Sequence, residues 1–75
     1  MTLEEAGYGD AVRVVTLDGL DESDRAALDG VGLRPGVGVT KILAAPLRDP
    51  IECLVGSQLL AVEKRLLSGI RVERS

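Results

Sequence analysis

Ile51-Glu52-Cys53-Leu54-Val55-Gly56-Ser57-Gln58-Leu59-Leu60-Ala61-Val62 is the stretch on which the fold turns. Ile51, Cys53 and Val55 alternate along it, the period of a strand with one face turned inward. Val55-Gly56-Ser57-Gln58 puts Gly at the first central position of a two-residue loop, the preference of a type II′ turn. Gln58 to Glu63 then runs back as a second strand, with Leu60 and Val62 of one parity. Two strands so joined must pair antiparallel. Cys53 shares the inward parity, which makes it a buried, inert thiol rather than a reactive one.

The chain reads outward from this hairpin in both directions. Upstream, Ala45-Pro46-Leu47-Arg48-Asp49-Pro50 is a loop, since proline is excluded from strand interiors. It puts Leu47 at an exposed tip, where a docking element would stand. Val37 to Ala45 is a further strand, with Val37, Val39 and Leu43 on one face and Lys41 interrupting it. Ile42, of opposite parity, hints at a bulge or at burial on both faces. Arg34-Pro35-Gly36-Val37 has the Pro and Gly positions of a type II turn. Asp21 to Gly30 reads as a short helix spanning about residues 22–31. Asp21 or Ser23 caps it, Glu22 and Asp24 sit at its positive end, and Ala27, Leu28 and Val31 form a narrow apolar stripe. Gly32 can supply the left-handed residue that closes it. Before the helix, Ala11 to Leu17 is β-branched-rich and ends in the turn pair Asp18-Gly19. In the opening segment Thr2 to Asp10, Gly7 and Gly9 argue against a helix. Downstream, Lys64 to Ser68 fits one helical turn and Ile70-Arg71-Val72 a last short strand. The prediction is a mainly β domain of about five strands with one short helix after the first. A small barrel suits it better than a sandwich, because closure hides strand edges.

Composition sets what this fold can do. With 75 residues the chain makes one small domain, its core expected over about residues 11–73. It has no His, Phe or Trp, one Tyr and one Cys. A disulfide framework and a Cys/His zinc site are therefore excluded, and the commonest general base at neutral pH is missing. No phosphate-binding loop motif occurs, so the chain itself is not expected to bind GTP. Asp18, Asp21, Glu22 and Asp24 form the densest carboxylate cluster; they lack the spacing of an EF-hand and fit the start of the helix better than a metal site. No cofactor and no catalytic residue is expected.

The net charge of −3 makes general nucleic-acid binding a poor reading. Acids dominate residues 1–30 and bases dominate 31–75, which is either a solvated surface or an electropositive face for an acidic partner. The N-terminus has no basic and apolar leader, and no segment reaches the roughly 20 apolar residues that span a bilayer. A cytoplasmic location is the expectation.

The ordered set Arg25, Leu28, Gly32-Leu33-Arg34-Pro35-Gly36, Val39, Ala45-Pro46-Leu47, Asp49-Pro50-Ile51, Leu60-Ala61-Val62, Ile70 and Val72 resembles the FeoA family, ferrous iron transport protein A. The resemblance covers about residues 12–72. It implies a cytosolic SH3-like β-barrel that assists FeoB, a membrane ferrous iron transporter with a cytosolic GTP-binding domain. Contact with the membrane is then only through that partner. The same module ends some iron-dependent repressors, so the alternative it implies is a metal-responsive regulatory domain. Taken from Met1 to Ser75, the chain matches the free-standing version. Leu47, Arg48, Arg25 and Leu59 are the candidate partner-binding residues. Arg25 and Arg48 could equally pair with nearby acids, and an exposed Leu47 and Leu59 would also allow a homo-oligomer.

Overall fold

The computed structural model describes residues 1–75. The strands are β1 (Val12–Thr16), β2 (Gly38–Ala44), β3 (Ile51–Val55), β4 (Gln58–Val62) and β5 (Arg71–Arg74). Helix α1 (Glu22–Gly30) follows β1. Short 3₁₀ segments at Pro46–Arg48 and Lys64–Gly69 link β2 to β3 and β4 to β5. The strands form one antiparallel sheet in the order β4-β3-β2-β1-β5.

Local chemistry explains the elements. Gly56 has φ +60° while Ser57 stays at negative φ, and Val55 pairs with Gln58, as a type II′ hairpin requires. Asp21 caps α1 by accepting the Asp24 N–H at 2.8 Å. At the other end Gly32, at φ +95°, donates to Asp29 O and Leu33 donates to Leu28 O. This paired closure joins buried Leu33 to buried Leu28. Gly36, at φ +92°, completes the turn in which Val37 donates to Arg34 O.

The core is aliphatic: Leu3, Val12, Val14, Leu33, Val39, Cys53, Val62, Ile70 and Val72 are its most deeply buried side chains. Leu3 and Ala6 belong to it, so the core reaches further toward the N-terminus than residue 11. Backbone bonds hold that segment in place. Val72 donates to Met1 O and Leu3 donates to Ile70 O, both at 2.8 Å, with Thr2 bridging Arg71.

The structure corrects several expectations. The sheet does not close: β4 and β5 are its two edges. The 3₁₀ segment between them buries Leu66 and Leu67 in the core, while Met1–Leu3 covers the outer side of β5. Leu43 is 50% exposed rather than aligned with Val39. The register shifts between Lys41 and Leu43, and this bulge at Ile42 reverses the parity. Lys41 does not interrupt the inner face but lies buried in it. Its ammonium donates to Glu4 O at 3.1 Å and sits 4.9 Å from the Tyr8 ring centre, so the charge is solvated by a carbonyl and a π face. α1 ends at Gly30 and buries only Leu28, leaving Ala27 and Val31 exposed. β5 starts at Arg71, one residue beyond the buried Ile70.

Candidate docking surface

The loop after β2 carries the most exposed large apolar side chain. Leu47 is 98% exposed. Leu47 and Arg48 both adopt left-handed backbone, φ 68° and 66°. Left-handed geometry costs a non-glycine residue about 1 kcal/mol or more. The surroundings hold the loop in it. Ala45 N–H donates to Pro50 O at 2.9 Å, Arg48 N–H to Ala45 O at 2.8 Å, and Lys64 N–H to Asp49 Oδ1 at 3.0 Å. The result is an apolar side chain presented to solvent on a fixed backbone, with a cation beside it.

The outer face of β2–β3–β4 adds to the apolar surface. Leu54 pairs directly with Leu59 across the hairpin, and both are exposed, at 36% and 60%. Ile42, outward by alternation, and Leu43, turned outward by the bulge, extend this surface along β2. Sequence reading found Leu59 but not Ile42, Leu43 or Leu54. The signal for Leu54 was present, because a hairpin pairing residue 55 with 58 also pairs 54 with 59.

Arg25 stands apart from these residues. It faces Asp18 at 3.7 Å in a cleft of about 420 Å³ between α1 and the Pro35 turn, lined also by Leu17, Glu22 and Asp29. Neither Leu47, Arg48 nor Leu59 lines that cleft.

Three of the four acids clustered at the start of α1 have individual partners. Asp21 caps the helix, Asp18 faces Arg25, and Asp24 takes a two-pronged contact from Arg65 at 2.8 and 2.9 Å. No group of three acidic or thiol side chains converges as a metal cage would. Burial pushes the Cys53 thiol up to about 11, partly opposed by the Lys41 charge, so at neutral pH it is no nucleophile.

The Arg65 hydrogen bonds hold Asp24 below the ordinary Asp value of 3.8; burial opposes them, and the Arg65 charge adds a smaller pull in the same direction as the hydrogen bonds. A carboxylate whose folded pKa is depressed stabilises the fold above its unfolded pKa and loses that contribution as pH falls through the folded one. The melting-temperature gap between wild type and Arg65→Met is therefore expected to be widest near neutral pH. It should narrow as pH drops below about 4, where protonated Asp24 no longer rewards the arginine. Melting curves at stepped pH check this; a gap unchanged down to strongly acidic pH contradicts it.

An open five-stranded antiparallel sheet with one short helix and an aliphatic core is a small SH3-like β domain. Its exposed features are an apolar tip and an apolar sheet face. The FeoA domain family model matches residues 1–74, and the chain belongs to the FeoA family. It is 32% identical to the FeoA protein of Chlorobium tepidum, with TM-score 0.87 over 99% of this chain and 70% of that one. It is 31% identical to an iron uptake regulatory protein, FeoA, with TM-score 0.77 over 100% of this chain and 99% of that one. FeoA of Stenotrophomonas maltophilia, solved with zinc, shares the fold at 22% identity and TM-score 0.78, over 97% of this chain and 89% of that one. That protein is described as a prokaryotic SH3 domain protein and put forward as a ferrous iron transport activating factor. None of the curated proteins compared with the chain matches it. No helix is long and apolar enough to cross a membrane.

Proposed function

We propose that this chain is a non-catalytic accessory protein of ferrous iron uptake. It acts by binding the cytosolic GTP-binding domain of a FeoB-type transporter through the Pro46–Arg48 loop and the apolar face beside it. Family membership supplies the process. The observation that carries the contact is Leu47, fully exposed on a constrained left-handed backbone. A large apolar side chain held in water at that conformational cost is what a pre-organised anchor looks like, since little ordering remains to be done on binding. Arg48 adds a cation to the rim that can meet an acidic group on the partner.

Titration calorimetry of the purified chain against the transporter's GTP-binding domain tests the reading. Leu47→Asp is expected to weaken binding by about tenfold or more, as truncating a central anchor does. Arg48→Glu should weaken it less and flatten its salt dependence. Arg25→Glu, on the separate cleft, should bind as wild type. Equal affinities for wild type and Leu47→Asp would remove the loop as the contact. No heat from the wild type would remove this partner domain.

A further inference from the structure

The two edges of the sheet are treated differently. β5 is covered by Met1–Leu3, whereas β4 has a neighbour on one side only. Natural proteins blunt an open edge with Lys, Pro, a bulge or a cover. β4, Gln-Leu-Leu-Ala-Val, has no charge and no proline, and its pairing with β3 runs without a register shift.

Hydrogen-bond alternation says which groups are free. Gly56 N–H donates to Gly38 O, so residue 56 points toward β2 and residue 55 toward β4. Gln58, Leu60 and Val62 therefore bond to β3, across from Val55, Cys53 and Ile51. The N–H and C=O of Leu59 and Ala61 point outward.

The geometry points to a second copy of this chain as the occupant, through antiparallel β4–β4 pairing about a two-fold axis at Leu60. In that register Leu59 of each copy pairs with Ala61 of the other, making about four backbone hydrogen bonds. The edge is self-complementary, as an isologous contact requires. Gln58 then lies opposite Val62 and Ser57 opposite Glu63, so no like charges meet. Because Leu59 is on the outer face, Ala61 of the second copy packs beside it and joins the two apolar faces across the axis. The contact is one short strand wide, below the roughly 1,200 Å² of a tight complex, so the dimer is weak and concentration-dependent.

Sedimentation equilibrium from about 10 μM to about 1 mM, with amide hydrogen exchange at both limits, tests it. Wild type should shift toward dimer, with the Leu59 and Ala61 amides slowing at high concentration. Ala61→Pro removes an outward N–H without touching the β3 ladder, and Leu59→Lys puts a charge on the edge. Each should weaken dimerisation about tenfold or more, while Val15→Lys on the outer face of β1 should not. If Ala61→Pro fails to fold, Leu59→Lys and the wild-type amide pattern decide. A wild type monomeric throughout, or a dimer indifferent to the Leu59 substitution, would overturn the inference.

Discussion

Replacing Leu3 with Ala is expected to lower stability by about 3 kcal/mol, the middle of the range for emptying a buried leucine site. Leu3 has no exposed surface and sits among core side chains drawn from the strands, the helix closure and the 3₁₀ segment. For a chain of 75 residues, about 0.05–0.15 kcal/mol per residue gives a total of roughly 4–11 kcal/mol. One side chain in the opening segment thus accounts for a large part of the stability. At about 4–8 °C per kcal/mol for a domain this size, the melting temperature should fall by roughly 12–24 °C. A local effect should accompany it. Leu3 is flanked by the bonds that tie Met1–Leu3 along β5, so the Val72 amide should exchange faster in the variant. A melting temperature within about 3 °C of wild type would show that Leu3 is not a core residue. Val15→Ala, at a half-exposed side chain on β1, is the comparison and should cost much less.

That Leu3 escaped sequence reading has a physical reason. Core membership was legible where apolar residues repeat at the period of an element. The parity of Ile51, Cys53 and Val55, the capping Asp21, Gly32 at the helix end and Pro35-Gly36 each act within a few residues, and the structure keeps all of them. Leu3 stands alone between Thr2 and Glu4. Its burial depends on β5, nearly seventy residues away, and no local pattern carries that. Lys41 fails to read for the same reason. A lysine among inward residues looks like an interruption until the Glu4 carbonyl and the Tyr8 ring are brought to it by tertiary folding. Leu43 was misplaced by one bulge, which reverses every parity after it. At the docking surface, Leu47 was legible because two prolines define its loop. Leu43 was not, because the same bulge decides which way it faces, whereas Ile42 faces outward by simple alternation with Val39 and Lys41.

The second large effect is expected at Gly19, where a single added methyl group should cost roughly 2 kcal/mol. The loop after β1 passes the end of the Lys64–Gly69 segment at backbone contact. A Cβ on Gly19 would lie 2.9 Å from both the Cα and the carbonyl oxygen of Gly69. Those atoms belong to main chain, held where Ile70 begins the path into β5, and cannot swing aside as a side-chain end would. The conflict is purely steric, since Gly19 has no positive φ that alanine would resist. Indeed, stiffening the unfolded chain by Gly→Ala should return about 0.4–1 kcal/mol, so the net loss measures the clash less that gain. Gly30→Ala isolates the gain: a Cβ there meets nothing within 4 Å, and its φ is also not positive. It should raise the melting temperature by a few degrees, whereas Gly19→Ala should lower it by roughly 8–16 °C. The sign difference between two chemically identical substitutions is the test. A Gly19→Ala protein as stable as wild type would mean that the two loops do not meet, and with them the path from the open β4 edge to the covered β5 edge would have to be redrawn.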